Sequence, residues 1–68
     1  MASEFGKRLR QLREAAELTQ EELARKADMS TSAVAKIEQR DVDPSWSTVG
    51  KLARALGVTL NDLAGDPK

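Results

Sequence analysis

The sequence predicts an all-α domain of five short helices, and three observations carry that prediction. Strand signals are nearly absent from the 68 residues, while apolar side chains recur at helical spacing. A Ser or Thr stands at the start of four of the five helical segments, in the position where a hydroxyl can cap the first turn. Gly57 stands where the fourth helix should stop, at a place that needs a left-handed backbone.

The first helix is predicted over 3–16, because Phe5, Leu9, Leu12 and Ala16 form one stripe while Lys7, Arg8, Arg10, Gln11 and Glu14 fall away from it. The second, over 20–27, follows Thr19, which with Glu22 spells a capping box; Leu18 and Leu23 form the hydrophobic staple around it. Ser30 caps the third, over 31–39, with Met29 and Val34 as its staple. Ser45, after Pro44, caps the fourth over 46–56, with Trp46 at its first position and Val49 at its fourth. The last, over 60–64, starts behind Thr59, whose partner Asp62 makes a shortened capping box between Val58 and Leu63. The predicted core is Phe5, Leu9, Leu12, Ala16, Leu18, Leu23, Ala24, Ala27, Met29, Val34, Ile37, Val49, Leu52, Ala53, Leu56, Val58, Leu60 and Leu63.

Composition narrows the function. A domain of this size buries roughly 60% of its unfolded surface, so each core side chain matters. With no cysteine there is neither a disulfide framework nor a thiolate metal site, and with no histidine the commonest general base is missing. No glycine-rich phosphate loop and no paired inward carboxylates stand in their place, so an enzyme is not expected, nor a cofactor, metal or small-molecule site. No apolar run has the length of a membrane span or signal peptide, which makes the cytoplasm the default and a membrane partner unexpected. Eleven basic residues balance eleven acidic ones, with a pI near 6.2. The balance is uneven along the chain: residues 1–13 carry Lys7, Arg8, Arg10 and Arg13 against Glu4, whereas residues 14–28 carry five acids against Arg25 and Lys26.

Only Asp28-Met29-Ser30 separates the second and third helices. So short a connection forces them to cross steeply, which props the third helix outward. This is the helix-turn-helix arrangement, whose second helix enters the major groove of DNA. The run L18-T19-Q20-E21-E22-L23-A24, then A27-D28-M29-S30, V34-A35-K36-I37-E38, P44-S45 and L52-A53-R54-A55-L56-G57-V58 resembles the phage repressor and Cro class, the xenobiotic-response-element-like regulators of bacteria and phages. The resemblance covers about residues 5–64. It implies one lambda-repressor-like DNA-binding domain over 1–68, with core 5–64, a helix-turn-helix motif over 19–39 and a recognition helix over 31–39. Two departures stand out. Asp28 replaces the usual turn glycine, and Arg40-Asp41-Val42-Asp43 brings two acids where the family often has glycine and basic residues.

On the third helix Ser32, Ala35 and Gln39 point away from the Ile37 side, with Thr31 and Lys36 flanking. Small polar groups there suit close approach to base edges, so Thr31, Ser32, Lys36 and Gln39 are the expected base-facing residues. Gln20 begins the second helix, where free amides favour a phosphate, and the resemblance implies a backbone contact from it. Arg40 and the fourth helix start, Ser45 and Ser47, complete the expected DNA contacts. A lone tryptophan at a helix start is read as packing, so Trp46 is expected on the core edge or at a dimer contact. Lys7, Arg8 and Arg10 are read as a solvated face. Arg13 falls within the apolar stripe and needs a partner; Glu17 is the local one, and the resemblance implies a buried structural ion pair with Glu38. The expected function is a sequence-specific DNA-binding regulator, a repressor working as a homodimer on double-stranded DNA. The alternative is a protein-interaction or antitoxin-like module that kept the fold with weak or no DNA binding.

Overall fold

The computed structural model describes residues 2–39 and 44–64. Its helices are α1 (Ala2–Ala15), α2 (Gln20–Lys26), α3 (Thr31–Glu38), α4 (Trp46–Leu56) and α5 (Leu60–Ala64). Among the described residues there is no strand, and no helix is long and apolar enough to cross a membrane.

The starts obey their capping chemistry. Glu22 N–H donates to Thr19 Oγ1 at 3.0 Å, and Thr19 N–H donates back to Glu22 Oε1 at 2.8 Å. Ser30 and Ser45 accept from the amides of Ala33 and Thr48. Thr59 and Asp62 make the same reciprocal pair despite the shorter acid.

The stops share one motif, used three times. Glu17, Asp28 and Gly57 have φ of 61°, 59° and 72°, and each ends a helix as its left-handed residue. At the first, Glu17 N–H donates to Glu14 O and Leu18 N–H to Arg13 O. Asp28 and Met29 repeat this with Arg25 O and Ala24 O, and Gly57 and Val58 with Arg54 O and Ala53 O. Only the third site uses glycine. Asp28 thus does the work of the usual turn glycine at a modest conformational cost. α1 ends at Ala15, one residue before the predicted end, and the chain turns at Glu17, so Ala16 leaves the stripe and is exposed.

The helices close on one core. α1 packs on α3 and α5, α2 on α3 and α4, and α4 on α5. Leu9, Leu23, Leu52 and Leu63 are fully enclosed, with Ala24, Ala27, Val34, Ile37, Val49 and Ala53 filling between them. Each enclosed leucine contributes about 1.5–3 kcal/mol of apolar burial. Phe5, Leu12, Leu18, Met29, Leu56 and Val58 pack around this centre, together with Ala55, which the periodicity missed. Two predicted core positions are corrected: Ala16, for the reason above, and Leu60, which is 44% exposed as the first residue of the five-residue α5.

Two glycines inside helices have opposite surroundings. A Cβ on Gly6 would lie 2.6 Å from Ile37 O and 2.9 Å from Glu38 O, so α1 and the end of α3 approach through that missing side chain. A Cβ on Gly50 would meet nothing within 4 Å. Gly50→Ala is therefore expected to stabilise the domain by about 0.5–1 kcal/mol, measured by urea unfolding, because only helix propensity changes.

Candidate nucleic-acid interface

α3 buries Val34 and Ile37 and leaves Thr31, Ser32, Lys36 and Gln39 exposed. Gln39 is the C-cap rather than a helical residue, its N–H donating to Ala35 O at 2.9 Å. Beside α3 runs a groove of about 350 Å³ that reaches to the start of α4. It brings Ser32, Lys36 and Ser45 together, with Pro44 and Thr48 on its far side. Ser45 is partly occupied: its hydroxyl caps Thr48 N–H at 3.2 Å and lies 3.1 Å from Thr48 Oγ1. Ser47 does not join this groove. It lies in a separate cleft against the end of α2.

What sets the tilt of α3 is a network at its C-terminal end. Arg13 Nε donates to Glu38 Oε2 at 2.7 Å and its Nη2 to Glu38 Oε1 at 3.2 Å, the two-pronged geometry that best suits a carboxylate. Its Nη1 donates to Leu18 O at 2.8 Å, which ties the α1–α2 corner into the same pair. The side chains are 12% and 4% exposed, so Glu38 rather than Glu17 is the partner of Arg13. Hydrogen bonding to Glu38 outweighs burial and raises the Arg13 pKa above the ordinary guanidinium value. A cation with a raised pKa keeps its contribution at every pH below that ordinary value and loses it only above, so base does not open the pair in the usable range.

Gln20 belongs to this network too. Its Nε2 donates to Glu38 Oε1 at 3.0 Å, a bond the spacing of 18 residues did not reveal. One amide N–H is thereby held by Glu38, and the other, with the half-buried position at the first turn of α2, is what Gln20 has left for a phosphate.

Trp46 corrects the packing expectation. It is 72% exposed at the start of α4 and does not sit on the core edge, which overturns that half of the expectation and leaves the dimer contact as the other. Arg40, Asp41 and Asp43 lie outside the described residues. Part of the charge balance is made locally: Glu14 holds Arg10 at 3.2 Å, Glu21 holds Arg25 at 3.3 Å, and Glu38 holds Arg13. Among the described residues Lys7, Arg8, Lys26, Lys36, Lys51 and Arg54 are in no ion pair. Among the described residues, then, Lys36 is an unmatched cation on the exposed side of α3.

A protein-family model described as a helix-turn-helix domain matches residues 4–64. The chain belongs to the helix-turn-helix domain family. It is 39% identical over 61 residues to the immunity repressor protein of Bacillus phage phi105, which spans 90% of this chain and 42% of that protein. It is 35% identical over 63 residues to the HTH-type transcriptional regulator PuuR of Escherichia coli K12, covering 93% of this chain and 34% of PuuR. The chain thus spans less than half the length of these two relatives. Among solved structures, the restriction-modification controller protein C.AhdI from Aeromonas hydrophila superposes with a TM-score of 0.89 at 37% identity, covering 91% of this chain and 94% of that one.

Proposed function

We propose that this helix-turn-helix domain is a sequence-specific DNA-binding transcriptional regulator, acting in the cytoplasm as a repressor that occupies operator DNA. The observation that carries this reading is the exposed face of α3, where Ser32 and Lys36 share a groove with Ser45 beside a helix tied down by Arg13 and Glu38. α3 enters the major groove, Thr31, Ser32, Lys36 and Gln39 face the bases, and Gln20, Ser45, Ser47 and Arg40 hold the phosphates. Two copies bind as a homodimer, their recognition helices about 34 Å apart on successive turns of the duplex. The similarity to proteins named as a repressor, a transcriptional regulator and a controller supports it.

A second reading, a protein-interaction or antitoxin-like module, is favoured by one observation: Trp46 and Leu60 leave large apolar surface in water. Lys36→Glu separates the two. Lys36 is exposed and in no ion pair among the described residues, so the melting temperature should hold while duplex-DNA affinity falls by about tenfold or more. If affinity does not move, α3 is not the reading helix.

A further inference from the structure

The face of α4 turned away from the core carries Ser47, Gly50, Lys51 and Arg54, spaced i, i+3, i+4 and i+7. With Lys26 and Asp28 at the end of α2 it lines a cleft of about 410 Å³, distinct from the groove beside α3. Three cationic residues and one acidic residue thus line the same cleft. None of the three is in an ion pair among the described residues, whereas Arg10, Arg13 and Arg25 each hold a glutamate.

Gly50 is an independent second observation. Nothing lies within 4 Å of a Cβ placed there, so packing within this chain does not call for glycine, and the helix loses propensity by having it. Its effect is to leave the floor of the cleft as bare helix backbone, open to a group that must come close. Around that floor stand the Ser47 hydroxyl, two ammonium groups and a guanidinium. The ammonium groups act as movable point charges, and the guanidinium can bond two oxygens of one anion. Asp28 offsets one positive charge and leaves an excess of two.

We infer that this cleft binds a phosphate group, at a site separate from the base-reading face of α3. The phosphate comes from the strand of a bound duplex or from a small phosphorylated molecule, and the cleft offers both the same chemistry. The ¹⁵N-labelled domain titrated with inorganic pyrophosphate at matched ionic strength should show amide shifts concentrated at 26–28 and 47–54. Gly50→Leu fills the cleft without changing charge and should abolish those shifts while retaining the fold, as should Lys51→Glu combined with Arg54→Glu. The source is then read from duplex DNA. A loss of affinity in Gly50→Leu, with the log–log salt slope reduced by about 0.9, assigns the phosphate to the DNA strand, and an unchanged affinity assigns it to a small molecule. Shifts spread over every exposed cation, or surviving in Gly50→Leu, overturn the inference. Cleft shifts in a domain that binds no DNA would leave this site standing and remove the operator reading instead.

Discussion

Arg13→Ala is expected to cost about 3–5 kcal/mol of folding stability, and Glu38→Ala as much, because each strands a buried opposite charge. A domain of this length has about 3–10 kcal/mol in all, so both variants should be largely unfolded near 37 °C. The size of the effect comes from what each partner loses. Glu38 accepts from Arg13 Nε, Arg13 Nη2 and Gln20 Nε2 with its side chain 4% exposed, and cutting back Arg13 removes two of those three donors, both of them charged. Arg13 in turn would leave Leu18 O, at the α1–α2 corner, without its guanidinium donor. Replacing both charges by apolar residues, Arg13→Met with Glu38→Leu, should lose much less than the two single changes added together, since no charge is then orphaned. Urea unfolding followed by circular dichroism measures all three; near-additive losses would mean the pair is solvated after all.

Gly6→Ala is the second large effect, expected to cost about 3 kcal/mol, at the top of the usual range for overpacking. The added methyl would lie 2.6 Å from Ile37 O and 2.9 Å from Glu38 O, and both obstacles are backbone. α1 must then move off the end of α3, which also stretches the Arg13–Glu38 pair. The gain in helix propensity from glycine to alanine, up to about 1 kcal/mol, is too small to reverse the sign. Thermal unfolding decides it: a melting temperature at or above that of the native domain would show that α1 and α3 are not in such close contact. Gly50→Ala is the internal control, since the same change in open space should stabilise.

The parts of the fold legible in the sequence are those fixed by local chemistry. Thr19, Ser30, Ser45 and Thr59 each bond to groups three residues away, so the helix starts followed from spacing alone. The stripes gave the core wherever the helix continued; they failed at Ala16, where the backbone turns at Glu17, and at Leu60, which opens a helix too short for periodicity. Gly6 sent no signal, because a missing side chain has no pattern and its use depends on which helix comes to lie against it. In the candidate interface the exposure of Ser32 and Lys36 followed from the α3 helical wheel. That Gln20 is tied to Glu38, and that Ser47 faces α2 rather than α3, depends on how the helices are placed.

On the proposed reading, α3 is held out to read a duplex. Trp46, exposed and next in the chain to the groove residue Ser45, supplies a fluorescent reporter of that binding. Its fluorescence is followed while generic duplex DNA is added at low and at raised salt. Binding at low salt that weakens with a log–log slope of several phosphates, about −0.9 for each, is the predicted result. No binding at any DNA concentration even at low salt would contradict it, and would assign the exposed face of α3 to a protein partner.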